Sequence, residues 1–383
     1  MKGLPFFKKK LNRDVTLIIM ALAVLAFMLA RALLSDKTVE EIIQPKVSVL
    51  VFDCYWKTRE EITQTLVNEY EDLNPGVKIE LNFLPYDVCR NELSASDSAA
   101  DVITVDPRWT AELAGHNTTE PEIYPILSFF YPLFYNIDIL EKAGFSRPPK
   151  TRSEFLDQAK KITALGTDVY AAALALDPDS SRGLADVYSW IWAGGNTVLA
   201  LAPLRETLDF LASLQNGNML YPGTLDADET KQAFLDGKIA FMIGSAEDME
   251  SVRSVLGQSF GYTTVPAPDN YSGKPYFASG VWSLAITKDS SRREEALSFI
   301  NFLSEKNSVL AEGWAVPENG NAAVMEDPFY SKATELYISG QLVENFTGIK
   351  TADADKVFSE EIIKLFNGST GDETARNIIN RLQ

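Results

Sequence analysis

Apolar and polar positions change period regularly along this chain. Lys46–Phe52, Val77–Leu84 and Asp101–Val105 are short runs rich in apolar and β-branched residues, and they read as strands. Between the first two, Ile62, Leu66, Tyr70 and Leu73 recur at helical spacing until Asn74-Pro75-Gly76 stops the pattern. Three stretches of capping-box form predict helix starts: Thr58-x-x-Glu61, Thr151-x-x-Glu154 and Ser291-x-x-Glu294. The second opens a face of Phe155, Leu156, Ala159 and Ile162, the third one of Ala296, Leu297, Ile300 and Leu303. In QAFLDGKIAFMIGS, residues 232–245, a helix ends at Gly237 and Ile239–Ile243 follows without polar alternation. A strand of that kind is buried on both faces. Gly244-Ser245 then lets another group approach the backbone, and a helix runs from Glu247 to Leu256. Residues 372–383 form a last helix with Ala375, Ile378, Ile379 and Leu382 on one side. Strands alternating with helices predict an α/β protein with mainly parallel sheets.

One apolar run is of a different kind. Val15–Ala30 is uncharged for sixteen residues, and with Arg31 snorkelling the span extends to Leu34, about the length that a bilayer needs. Basic residues precede it and acidic ones follow, so the positive-inside rule puts residues 1–14 in the cytoplasm and the rest outside. An uncleaved anchor is the favoured reading. A cleaved signal peptide, with Ala30-Arg31-Ala32 as the A-x-A site, is the rival. Residues 36–45 read as a polar tether.

Charge then narrows the function classes. The chain has 383 residues and a net charge of −18; residues 36–383 alone hold 29 basic and 52 acidic residues, a net −23. Such a surface repels phosphate backbones and argues against nucleic acid as a partner. The single histidine, His116, nearly excludes a histidine triad or a multi-histidine zinc site. No phosphate-binding glycine loop or nucleophile elbow is present. Cys54 and Cys89 are the only cysteines. Each lies just past an apolar run, so a disulfide between neighbouring strand ends and a pair of free thiols are both open; a two-cysteine metal site lacks partners.

The aromatic residues carry the candidate site. Tyr55-Trp56 follows the first strand and Trp109 the third; Trp192 precedes Ala193-Gly194-Gly195; Trp282 and Trp314 sit beside glycines. Aromatic faces in a cleft stack on sugar rings, and a few placed polar groups fix orientation. Trp56, Trp109, Trp282 and Trp314 are the expected stacking set. Asp106 and Arg108 beyond the third strand, facing Ser245 and Glu247 beyond Ile239–Ile243, are the expected polar set.

Four segments resemble the sugar-type extracellular solute-binding proteins of bacterial ABC importers: VSVLVF through ADVITVD, FYNIDILEKAGFSRPPKTRSEFLDQAKKIT at 134–163, KQAFLDGKIAFMIGS, and FASGVWSLAITKDSSRREEALSFINFLS at 277–304. The resemblance implies the two-lobed type II periplasmic-binding-protein fold, with a ligand cleft between lobes and the end of Ile239–Ile243 at that cleft. It implies an N-terminal lobe of residues 46–135 and 284–313 and a C-terminal lobe of 136–283 and 314–383. Crossings fall near Tyr131–Asn136, Ser279–Leu284 and Gly313–Pro317. It further implies a monomer that captures a mono- or oligosaccharide by hinge closure and delivers it to membrane permease subunits, with no cofactor, metal or catalysis. Alternatives are a membrane-tethered sensor of the same fold and a secreted carbohydrate-active enzyme. The chain departs from the family pattern in having Ala246 and Glu247 where an aromatic is common, and in a short stretch from Trp109 to Tyr135.

Overall fold

The structure is a computed structural model. It describes residues 20–29, 47–95, 98–109, 122–223, 225–311, 327–347, 349 and 354–383.

Two sheets organise the chain. The first contains β1 (Ser48–Cys54), β2 (Val77–Phe83), β3 (Val102–Val105), β4 (Ile123–Phe130), β9 (Tyr276–Ile286) and β10 (Gln341–Val343). The second contains β5 (Leu133–Asn136), β6 (Tyr170–Ala172), β7 (Ile239–Ile243) and β8 (Phe260–Thr263) in the order β6-β7-β5-β8. β1 pairs in parallel with β2 and with β3, as apolar runs separated by helices should. β9 is antiparallel to β3 through Ser283–Ile286 and to β4 along almost its whole length. β5 is antiparallel to both of its neighbours, β7 and β8.

Each sheet has its own helical cover. Helix Glu60–Leu73 buries Leu66, Val67 and Tyr70, and helix Arg293–Glu305 buries Phe299 and Ile300. Phe299 packs edge-on against both Phe52 of β1 and Tyr70, at 5.4 and 5.1 Å between centroids. Around the second sheet, Phe155 of helix Arg152–Thr163 packs against Trp190 and against Phe241 of β7, each at 5.0 Å. All five residues of β7 are buried, as its unbroken apolar run requires. Helix Ala185–Trp192 lies against both β9 and β7, at the junction of the sheets.

The chain passes from the first sheet to the second between Phe130 and Leu133. Its return falls between Thr263 and Tyr276, earlier than the expected crossing at Ser279–Leu284, because β9 hydrogen-bonds within the first sheet from Phe130↔Ser279 onward and to β10 before that. Tyr276–Ser283 and Gln341–Val343, assigned from the sequence to the second lobe, thus belong to the first sheet. The expected third crossing at Gly313–Pro317 lies outside the described residues.

Local starts differ from the capping-box reading in two places of three. Thr151 accepts from the Glu154 N–H as expected. At Thr58 a single 3-10 turn, Lys57–Arg59, intervenes before the helix, and at Ser291 the helix begins beyond Arg292 without a side-chain cap. A reciprocal capping box occurs instead at Asp226 and Glu229, opening helix Ala227–Leu235. Of the expected membrane span, only residues 20–29 are described; they are helical and exposed. No helix among the described residues is long and apolar enough to cross a membrane.

Of the two readings open for the cysteines, the structure has the free thiols and not the Cys54–Cys89 disulfide; both are buried. Cys89 is not at a strand end but inside helix Tyr86–Ser94, which follows β2. There it joins a small apolar cluster with Ile103, Val105 and Trp109, whereas Cys54 belongs to the main core.

Candidate functional site

A cavity of about 630 Å³ opens between the two sheets. Strand ends supply it. β1 delivers Tyr55 and Trp56, whose direction is fixed where the Tyr55 N–H donates to the Thr104 hydroxyl at 2.9 Å. β3 delivers Asp106 and Arg108, and β7 delivers Ser245 and Glu247. Trp282 arrives from the middle of β9, and Trp192 from the end of helix Ala185–Trp192. Gly244 is small for a reason internal to the fold: a Cβ there would run into the Phe134 ring.

Eight of the ten sequence-predicted residues therefore line one cavity: Tyr55, Trp56, Asp106, Arg108, Trp192, Ser245, Glu247 and Trp282. Trp109 does not. It turns under the sheet edge, 3% exposed, packing at 4.7 Å on Tyr86 and donating from its indole to the Tyr86 hydroxyl at 3.0 Å. Trp314 lies outside the described residues. Trp56 and Trp282 line the cavity in an unexpected way. They stack on each other at 4.5 Å with planes 8° apart, so the face that each shows the other is closed to any ligand.

Residues that sequence reasoning missed complete the walls: Tyr131, Arg182, Tyr188, Lys231, Phe346 and Asp355. Only Tyr131 carried a signal, at the edge of the expected first crossing. Tyr188, Lys231 and Asp355 come from helices, whose periodicity reports the core and says nothing of the opposite face; Arg182 lies in a turn and Phe346 in a loop, where there is no period to read.

The charges are largely matched inside the site. Arg108 pairs with Asp106 at 2.5 Å and Asp355 at 3.2 Å. Arg182 sits 3.4 Å from Asp186 and 3.7 Å from Asp248, and Lys231 is 3.1 Å from Asp248. Burial raises the Asp106 carboxyl, but the Arg108 charge and hydrogen bonds more than offset this and hold it below the usual range. Glu247 goes the other way. Burial first, then the Asp248 charge, pushes its carboxyl up to about 8, against the pull of the Ser245 hydroxyl and the Trp282 indole. At neutral pH it is a hydrogen-bond donor as well as an acceptor. The cavity thus joins aromatic walls to convergent donors and acceptors, the make-up of a small-molecule pocket.

This two-lobed fold with a cleft at strand ends is that of a ligand-capturing protein. The family model for bacterial extracellular solute-binding proteins matches residues 56–308, and the chain belongs to that family. A protein of Brucella abortus (strain 2308), named as a binding protein, is 23% identical over 281 residues, covering 62% of this chain and 67% of that one. Among solved structures, the GacH receptor of Streptomyces glaucescens GLA.O, described with acarbose, superposes with a TM-score of 0.70 at 17% identity, covering 87% of this chain and 97% of the receptor. Maltose-bound T. maritima MalE3 gives 0.68 at 19% identity over 88% and 99% of the two chains. Lmo0181 from Listeria monocytogenes, in complex with cycloalternan, gives 0.71 at 15% identity over 88% and 98%. At these identities the likeness is one of fold.

Proposed function

We propose that this chain is the capture component of an ABC importer that takes a carbohydrate, delivers it to permease subunits by hinge closure, and performs no covalent chemistry. The observation that carries the reading is the cavity itself: about 630 Å³, walled by Tyr55, Trp192, Tyr131 and Trp282, with Ser245, Glu247 and Arg182 as polar partners. That size falls within the range for small-molecule sites. Charge matching within the walls favours a neutral ligand with many hydroxyls, since no side of the cavity holds a large surplus of one sign. The solved relatives described with acarbose, maltose and cycloalternan support the carbohydrate class. Residues 15–34 serve as the anchor, holding the binding domain at the outer face of the membrane.

Thermal unfolding of the full chain against a panel of mono- and oligosaccharides tests the reading. A true ligand at about 100 times its Kd stabilises the fold by roughly 2.7 kcal/mol. A panel in which no saccharide moves the transition overturns the carbohydrate class. Turnover of a stabilising glycan overturns the non-enzymatic role.

A further inference from the structure

Every nitrogen of the Arg108 guanidinium is engaged by the protein itself. Nε donates to Asp106 at 3.0 Å; Nη2 shares its two N–H groups among Asp106 at 2.5 Å, the Tyr86 hydroxyl at 2.9 Å and the Ser181 carbonyl at 2.8 Å; Nη1 donates to Asp355 at 3.2 Å. These partners divide between the two lobes. Asp106 follows β3, and Tyr86 begins the helix after β2, so both travel with the first sheet. Ser181 and Asp355 travel with the second: helix Ala354–Phe366 packs on helices Leu201–Asn216 and Gly371–Leu382, and Ser359 donates to the Leu176 carbonyl at 2.6 Å. Asp355 is fixed from its far side by the Tyr188 hydroxyl at 2.6 Å.

A second observation points the same way. Gly183 has φ +51, and a Cβ there would collide with both the Arg108 guanidinium and the Asp355 carboxylate. The turn leaves room for this pair and for nothing else. A third is the polarity of the ion pairs that join the lobes. Arg90 pairs with Asp179 at 2.9 Å and Arg59 with Glu250 at 3.5 Å, so in all three pairs the cation is on the first lobe and the anion on the second.

We infer that Arg108 is an inter-lobe latch, a positioning residue that favours the closed cleft by clasping Asp355 and the Ser181 carbonyl, and that acts on the ligand only through closure. A guanidinium suits this role because its charge is permanent and its planar fork serves several acceptors at once. The side chains of Arg108 and Asp355 are 29% and 21% exposed, so water screens the pair only in part. The inference goes beyond ligand capture and does not depend on the ligand being a saccharide.

Inter-lobe distances measured by pulsed electron spin resonance test it without any ligand. Spin labels go on the full chain in detergent at Glu80→Cys in β2 and Lys160→Cys in helix Arg152–Thr163; both sites are exposed, while the native cysteines are buried. With the latch intact the short-distance population dominates. Asp355→Asn and Arg108→Ala should each shift the closed-to-open ratio about tenfold toward long distances, with Arg108→Lys between, since it keeps the charge but not the fork. Distributions unchanged by the near-isosteric Asp355→Asn overturn the latch, and that variant decides the matter even where Arg108→Ala fails to fold.

Discussion

Trp56 and Trp282 lie face to face, ring centroids 4.5 Å apart and planes within 8° of parallel, though they are 226 residues apart in sequence. They are 1% and 4% exposed and belong to the main core. The pair therefore joins β1 to β9 as much as it walls the cavity. Replacing either by Ala should cost about 3–5 kcal/mol of folding stability, as large-to-small core changes do. Urea unfolding measures this; a midpoint unchanged in Trp282→Ala, with ligand binding lost, would show a ligand platform instead of a core pair.

Glu247 makes stability depend on pH. Its carboxyl is raised from an ordinary 4.5 to about 8, with burial the first cause. Between those values the folded protein holds a proton that the unfolded chain releases. The stabilisation is complete below about 4.5 and is lost as pH rises through 8. Glu247→Gln, which cannot ionise, should equal the native chain at pH 5 and exceed it in melting temperature at pH 8–9. Parallel melting curves for the two chains across that range would refute the raised carboxyl.

Gly183→Ala should be costly out of proportion to its single methyl. The residue sits at φ +51, which side chains adopt reluctantly, and the added Cβ meets Arg108 and Asp355. A loss on the order of 1–3 kcal/mol is expected from the strained backbone alone. Calorimetric melting of this variant beside Gly237→Ala calibrates it, because Gly237, at φ +70, also has a left-handed φ but no neighbour within 4 Å of a Cβ. Equal losses in the two would mean that the Arg108–Asp355 contact adds nothing.

The thiols should titrate as two. Burial raises the Cys54 thiol well above its usual value and pushes Cys89 up to about 12, so neither forms thiolate readily in the folded state. A thiol reagent should react slowly with the native chain and find two groups after unfolding without reductant. Finding none would restore the disulfide.

How much of this was legible in the sequence depends on what each residue packs against. β7 was readable because both its faces are buried, which suppresses alternation, and Gly237, at φ +70, marked the helix end before it. The cavity's strand-end residues were readable because open α/β sheets place ligands beyond the carboxyl ends of their strands. Trp109 misled for the same reason: a position just past a strand does not reveal whether the next turn faces the cleft or folds beneath it. Asp355 was not readable, because its partners Arg108 and Tyr188 lie far away in the chain; Arg182 has Asp186 four residues on, but its place in the cavity depends also on Asp248 from a distant segment. The capping boxes show a local limit. Thr58-x-x-Glu61 has the right letters, but Trp56 is drawn into the core and the chain makes a 3-10 turn before the helix can begin.

The passage from β4 to β5 also bears on mechanics. There the Ala246 N–H donates to the Phe130 carbonyl and the Gly244 N–H to the Pro132 carbonyl, each at 3.0 Å. The connecting segment is thereby stitched to the end of β7, and under the hinge closure proposed above this places the fulcrum of the swing at the cleft floor. Side chains beside that axis, Ser245 among them, travel short arcs. Arg90 and Asp179, out at the rim, ride the long end of the lever, so a few degrees of rotation there separate charges that the floor scarcely feels moving.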